Sequence, residues 1–224
     1  MGLSELAASG ERFEGQYFLL TADIDLSGLA WLPIGDGRTG ENGEANAFAG
    51  HFSGGGHKVS GMRVGKGGGA PCAGFFGRTE GGSVTDIDIV DSTVEGVSGV
   101  GGLIGTAYGT VVERVSFEGI VSGERSAGGL LGSAENASVS DCSADASVSA
   151  EQYCGIICGV AGGVRFIRCL SAGSVFGEKD AGGAAGFCFD CSFETIINCG
   201  TVSGGDHTAG IAGKALKSSF ISCE

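Results

Sequence analysis

Hydrophobic and polar positions repeat along this chain with a period of about 27 residues. Valines recur at an interval of 27 without exception, and a Gly-hydrophobic-hydrophobic-Gly signature recurs six times at steps of 26 to 28, with Cys158 in place of the last glycine in the fourth copy. No helical spacing occurs inside the unit, so the pattern predicts two or three short strands per repeat. The valines are Val94, Val121, Val148, Val175 and Val202, and the first glycines of the signature are Gly74, Gly102, Gly129, Gly155, Gly183 and Gly210.

A repeat of this length cannot bury its own apolar face, whereas stacked repeats bury a continuous core. The sequence therefore predicts an all-β fold, a right-handed parallel β-helix (β-solenoid) with about 27 residues per repeat. The right hand follows from the general preference for right-handed crossovers between parallel strands. We expect one domain over residues 1–224, in which residues 71–224 form six repeats and the last repeat is truncated.

The first part of the chain, residues 1–70, is less regular and is expected to hold a cap and irregular first turns. Leu3 to Ala8 is predicted to be a short helix with Ser4 as its N-cap. The glycines and acids from Gly35 to Asn46 predict a long external loop.

Side-chain alternation around Asp86 and Ile87 predicts which residues stack on one another. An inward apolar column and an outward charged column follow from the spacing. Acid and base alternate in the outward column, which favours stacking because neighbouring turns lie about 4.8 Å apart. The inward column is Ile87, Val115, Cys142, Cys169, Cys199 and Cys223, and the outward column is Asp86, Arg114, Asp141, Arg168 and Asn198.

The composition and charge of the chain limit the classes of binding partner that are expected. The chain has 46 glycines and 2 prolines, and its formal net charge is −13. Such a negative charge disfavours nucleic acid and anionic membranes, which require cationic contacts. No apolar stretch approaches the roughly 20 residues of a spanning helix, so we predict no membrane insertion. Met1 to Gly15 does not resemble a signal peptide, and we expect any secretion signal and anchor to lie outside these 224 residues.

These repeats resemble the GLUG-motif repeats of bacterial surface proteins. The upstream segments Thr21–Gly28, Trp31–Gly35 and Phe52–Gly61 are similar to the stretch that commonly precedes such repeats, so the resemblance covers nearly the whole chain. It implies a large secreted or wall-attached bacterial protein, such as an adhesin or an IgA-cleaving metallopeptidase, in which the repeats are accessory. The cysteine content departs from that resemblance.

The nine cysteines are the strongest candidates for a chemical site. Cys154 and Cys158, with Cys188 and Cys191, have the spacing of a weak candidate zinc site. Packed, reduced thiols are the favoured interpretation because free cysteine behaves as a small hydrophobe in a core. Disulfides between adjacent turns stay open as a third alternative.

For the other candidate functional residues, a structural role is the alternative to a chemical one. Asp86 and Asp88 have a separation compatible with an inverting glycosidase pair, but solvated structural acids are favoured. His51, His57 and His207 are too scattered for a metal triad, and neither H-E-x-x-H nor G-x-S-x-G occurs. Residues 35–40 fit G-x-G-x-x-G, although acids around them disfavour a phosphate.

The sequence therefore predicts a non-catalytic module that has no cofactor and serves as a spacer or an adhesion surface. Expected partners are a host glycan or protein ligand, adjoining domains of a larger chain, and end-to-end stacked copies. The expected location is extracellular. Two alternatives are a carbohydrate-active β-helix enzyme, either a lyase or a hydrolase, and an accessory domain of an IgA-type metallopeptidase.

Overall fold

A computed structural model describes residues 2–40, 43–65 and 71–224 of the chain. The predicted boundary at residue 70 lies outside these residues. The described elements are α1 (Leu3–Ala8), β1 (Tyr17–Leu19), β2 (Ile24–Asp25), β3 (His51–Ser60), β4 (Arg63–Val64), β5 (Phe76–Glu80), β6 (Ser83–Glu95), β7 (Ser98–Gly101), β8 (Ile104–Tyr108), β9 (Val111–Ser122), β10 (Arg125–Gly128), β11 (Leu131–Glu135), β12 (Ser138–Ser140), β13 (Ser143–Gly155), β14 (Cys158–Gly162), β15 (Arg165–Gly182), β16 (Ala185–Phe189), β17 (Ser192–Asn198), β18 (Thr201–Ala209), β19 (Ala212–Leu216) and β20 (Ser219–Ile221).

The strands form a parallel β-solenoid of about six turns, as the repeat predicted. One sheet has 14 strands and the second has 6, in the order β19-β16-β14-β11-β8-β5. Every pairing between two of these strands is parallel and joins equivalent segments of neighbouring turns. The right-handed coil stays a prediction.

The valine column lies in register along the first sheet. Each valine is the paired neighbour of the next, from Val94 to Val202. The first four are at most 1% exposed, whereas Val202 is only partly buried against the core. Burial of each valine therefore depends on the turn that follows it.

The glycine signature connects the two sheets. In the second and third repeats it spans the end of β7 or β10 and the start of β8 or β11, and its apolar residues Leu103, Leu130 and Leu131 are fully buried. The assignment of Gly155 to the signature column is wrong. Gly155 pairs with Gly128 and Gly182, so it belongs one position earlier, and Ile156 takes the place that glycine has in the other repeats.

Each turn has three corners at which one residue adopts a left-handed backbone, with φ between 50° and 62°. Most of these residues are not glycine, and such a conformation is uncommon for L-residues. The corners divide a turn into three straight segments. The first column is Asp86, Arg114, Asp141, Arg168, Thr195 and Ser222, the second is Gly99, Ser126, Tyr153, Asp180 and His207, and the third is Gly109, Asn136, Gly163, Asp190 and Lys217.

The N-terminal helix is present at the predicted residues, but its N-cap is Gly2 and not Ser4. The Gly2 amide donates to the Glu5 carboxylate at 3.0 Å, which satisfies a free donor at the helix start. Ala7 is fully buried, and Leu3 and Leu6 pack against the core. The helix therefore covers apolar residues at this end of the solenoid.

The predicted loop from Gly35 to Asn46 is external only in its middle part. Asp36 and Asn46 are 2% and 6% exposed, and their side chains are hydrogen-bonded at 3.1 Å. Ile34 forms a parallel bridge with Phe76, and Phe48 forms one with Thr79. The segment thus leaves the second sheet and returns to it almost at the same point.

Candidate functional site

The outward charged column forms two bidentate ion pairs. The Arg114 guanidinium donates to the two Asp86 oxygens at 2.6 and 3.0 Å, and Arg168 donates to both Asp141 oxygens at 2.6 Å. These hydrogen bonds lower the pKa of Asp86 and of Asp141 below the ordinary value. The predicted stacking of acid on base is therefore present from Asp86 to Arg168.

The two predicted columns are wrong at Cys199 and Asn198, whereas Cys223, the last predicted inward residue, packs against the core. Cys169 pairs with Ile196 and not with Cys199, so the next outward residue is Thr195. Cys199 is exposed. Asn198 pairs with Ser171 instead and accepts a hydrogen bond from its hydroxyl at 3.0 Å. The error came from matching residue types across a 30-residue step, whereas the turn keeps its length of 27.

The carboxylates considered as a glycosidase pair are engaged by the next turn. Asp86 is bound by Arg114, and Asp88 accepts a hydrogen bond from the Ser116 hydroxyl. Asp23 likewise accepts from the Lys58 amide at 3.1 Å. A general acid requires a raised pKa, whereas the pKa of Asp86 is lowered by its arginine. The geometry therefore favours a structural role for these acids.

The four cysteines of the candidate zinc site occupy interior columns whose other members are mostly small or aliphatic residues. Cys158 lies close enough to Cys188 and Cys191 to interact electrostatically with them, whereas Cys154 lies beside Ala127 and Ala181. Among the described residues, no group of three or more His, Cys, Asp or Glu side chains has an arrangement that could hold a metal.

Burial dominates the acid–base properties of these thiols. It raises the pKa of Cys154 and of Cys188 to about 11, and that of Cys142 to about 12. A thiolate is the metal ligand and the nucleophile, so burial disfavours both roles. The structure contains all nine cysteines as free thiols, and seven of them are buried.

The three histidines lie apart, each with its own partner. His51 contacts the Ser83 hydroxyl at 3.0 Å and stacks on Tyr17, and His57 contacts Asp23 at 3.1 Å. His207 contacts the buried Asp180 at 2.7 Å across adjacent turns. Each contact joins neighbouring turns, and the three histidines do not converge on one point.

The glycine-rich run at residues 35–40 begins packed in the solenoid, where Gly35 and Asp36 are buried, and emerges at the exposed Arg38 and Thr39. A Cβ atom at Gly35 would lie 2.8 Å from the Arg78 carbonyl oxygen and from the Phe48 amide nitrogen. Thr39 continues into an antiparallel bridge with Ala45. The glycine therefore serves close backbone packing.

A groove on the outer face of the second sheet is the most distinctive surface feature. It has a volume of about 360 Å³. We call it the aromatic groove, and its defining residues are Tyr108, Glu135, Gly162, Phe187 and Phe189. Four of them stand in one register column, in which Tyr108 pairs with Glu135, Glu135 with Gly162, and Gly162 with Phe189.

Both ends of the aromatic groove carry a cation stacked on a ring. The Arg78 guanidinium carbon lies 4.3 Å from the centroid of the Tyr108 ring, and the Lys217 ammonium lies 5.3 Å from that of Phe189. These are cation–π distances. Arg78 belongs to the turn before Tyr108 and Lys217 to the turn after Phe189, so both cations lie outside the space between the rings.

Comparison with known families and proteins adds one decisive match. Residues 123–149 match the family described as "The GLUG motif". The chain contains a GLUG-motif region. These residues begin directly after β9 and end at Ser149 within β13, and thus include the signature Gly129 to Gly132.

Two proteins resemble this GLUG-motif solenoid. A protein from Evansella cellulosilytica described as "Putative Gly-rich membrane protein" is 37% identical over 115 residues, which is 47% of this chain and 12% of that protein. A crystal structure from Bacteroides ovatus, described as a "putative immunoglobulin A1 protease", matches with a TM-score of 0.68 at 20% identity. That match covers 95% of this chain and 69% of the other, and it supports the fold.

The described part of the chain contains no helix long and apolar enough to cross a membrane.

Sequence reasoning missed the aromatic groove altogether. Its signal was available, because Tyr108, Glu135, Gly162, Phe189 and Leu216 follow each other at intervals of 27. An exposed column that contains both aromatic rings and a glycine is the pattern that would have revealed it.

Proposed function

We propose that this GLUG-motif solenoid is a non-catalytic repeat module of a secreted or cell-surface bacterial protein, in which it acts as a spacer and presents a binding surface. The observation that carries the proposal is that exposed polar side chains bind side chains of the neighbouring turn. The candidate acids Asp86 and Asp88 are bound by Arg114 and Ser116 of the following turn, so their chemistry serves stacking.

The comparisons support a place in the cell envelope. One relative carries the description of a membrane protein, and its matched region is 12% of its length, consistent with a module in a larger chain. A rigid stack that rises about 4.8 Å per turn is suited to hold other domains away from a surface.

The spacer role can be tested by adding turns. Residues 142–168 make up one turn, from the residue after corner Asp141 to corner Arg168. Three extra copies inserted after Arg168 should lengthen the particle by about 14 Å, which small-angle scattering would detect. Loss of cooperative folding, or an unchanged maximum dimension, would contradict a modular spacer.

Absence of catalysis can be tested on a panel of polysaccharides. We expect no new reducing ends and no unsaturated products from the wild-type chain. The informative variants are Asp86→Asn and, as a control, Asp145→Asn, which removes an exposed acid from the same sheet. If the wild type cleaves a polysaccharide, and the activity is lost in Asp86→Asn but kept in Asp145→Asn, the module is a carbohydrate-active enzyme and the spacer proposal is wrong.

An accessory domain of an IgA-type metallopeptidase is the second candidate. It is favoured by the fold match, which extends over 95% of this chain. Sequencing the gene beyond the codon for Glu224 distinguishes the two candidates. An H-E-x-x-H motif on a helix there would favour the peptidase, whereas further repeats and a wall anchor would favour the spacer.

A further inference from the structure

The aromatic groove contains an empty position in a column of side chains. Gly162 stands between Glu135 and Phe189 in register. A Cβ atom at Gly162 would meet nothing within 4 Å, so the space above it is open. Neighbouring turns are about 4.8 Å apart, so a flat group over Gly162 would lie within contact of both flanking side chains.

Two cations of the chain itself stack on the rings of the aromatic groove. Arg78 stacks on Tyr108 and Lys217 on Phe189, in each case from the turn outside the groove. The ring faces that point into the groove carry no such cation from the described residues. A guanidinium over Gly162 would lie about 4.8 Å from the Phe189 column, within the distance over which cation–π attraction acts.

The charge of the groove is complementary to a cation. Glu135 and Asp190 both line it, and neither carboxylate has an ion pair within residues 2–40, 43–65 and 71–224. The formal net charge of −13 adds long-range attraction for a basic partner.

We propose that the aromatic groove binds an arginine side chain of a polypeptide partner, with the guanidinium over Gly162, stacked on Phe189 and paired with Glu135. Arginine suits the site better than lysine, because its planar group stacks on a ring while it donates two hydrogen bonds to a carboxylate. The proposal assigns a ligand to the module proposed above, and it does not depend on the absence of catalysis.

A titration with labelled peptides tests the proposal. The probes are a fluorescent Gly-Arg-Gly-Arg-Gly peptide, the same peptide with lysine in place of arginine, and a neutral β-linked tetrasaccharide. Fluorescence anisotropy at about 0.15 M salt measures binding of the peptides, and calorimetry measures binding of the sugar. We expect the arginine peptide to bind more tightly than the lysine peptide, and the sugar to bind more weakly than either.

Three variants locate the binding. Gly162→Leu adds a side chain at the empty position, where a Cβ atom meets nothing within 4 Å, and should weaken binding by more than about tenfold, which is about 1.4 kcal/mol. Glu135→Gln should weaken it by about fivefold to tenfold. The control Glu118→Gln changes the net charge equally but lies on the first sheet, so it should leave binding unchanged. Circular dichroism verifies that each variant is folded.

Two results would overturn the proposal. Equal weakening by Glu118→Gln and Glu135→Gln would mean that the peptide responds to net charge and not to the groove. Binding of the tetrasaccharide that exceeds that of the arginine peptide and is lost in Gly162→Leu would assign the groove to a neutral glycan. Either result leaves the spacer role to its own tests.

Discussion

The first and the last described turns of the solenoid are built differently. At the first turns, Phe48 is 1% exposed and contacts the rings of Phe13, Phe18 and Phe76, while α1 covers the core. At the last turn, Phe220 is 42% exposed and stacks on Phe193 alone among aromatic rings of the described chain. An inward side chain of a solenoid is thus buried by its neighbours, and position in the stack decides its contribution to stability.

The largest predicted difference between the two ends comes from removing an aromatic ring. Phe48→Ala should lower the free energy of unfolding by about 3–5 kcal/mol, because it leaves a cavity among packed rings. Phe220→Ala should lower it by much less, because Phe220 is already 42% exposed to solvent. Urea unfolding of both variants measures the difference, and equal losses would mean that the last turn is as well buried as the first.

A smaller difference is expected when a methyl group is added to equivalent glycines. A Cβ atom at Gly102 would lie 2.3 Å from the Gly129 carbonyl oxygen, whereas one at Gly210 would meet nothing within 4 Å. Gly102→Ala should therefore cost about 1–3 kcal/mol of unfolding free energy. Gly210→Ala should change stability by no more than about 0.5 kcal/mol. Thermal melts of the two proteins compare them, and a destabilising Gly210→Ala would indicate that this end is covered in solution.

The ion pairs of the outward column should make a still smaller, pH-dependent contribution. Arg114 lowers the pKa of Asp86 in the folded state, so the stabilisation is present above the unfolded pKa of about 3.9 and is lost as pH falls through the folded pKa. Asp86→Asn should lower the melting temperature slightly at pH 7 and leave it unchanged at about pH 2. A difference that persists in acid would show that the effect is not ionic.

The smallest effect is expected where the charged column stops. Thr195 is a β-branched residue with φ of 56°, one turn beyond Arg168. Thr195→Asp should raise the melting temperature by roughly 1–2 °C, because aspartate tolerates this backbone better and lies next to the arginine. Thr195→Asn separates the two causes, since it keeps the backbone preference without the charge. A lower melting temperature for both variants would contradict this explanation.

The period of the repeat was sufficient to predict the architecture. Parallel stacking requires equivalent residues to recur at a fixed interval, and the valines recur every 27 residues, so their register followed from the sequence. Gly155 and Cys199 were misplaced because residue type was matched in preference to the 27-residue interval. Register in a parallel stack is fixed by position along the turn. One position accepts glycine or isoleucine, and another accepts isoleucine, valine or cysteine.

The corners and the aromatic groove could not be predicted in the same way. Ser126, Tyr153 and Arg168 adopt a left-handed backbone although none of them favours it, because neighbouring turns impose the path. The groove depends on the outward column that contains Gly162, and hydrophobic periodicity detects inward columns. An exposed column has to be found from its own 27-residue spacing, as the charged column was.

The segment from Gly35 to Asn46 departs beside Phe76 and rejoins beside Thr79, and the following turn is laid down as if nothing had been inserted. The length of one turn is therefore independent of the rise of the stack. Selection can add a loop at such a point, alter its sequence or remove it, while every turn above and below keeps its partners. The fold can therefore gain new surface side chains by loop insertion within single turns, and the length of the stack stays the same.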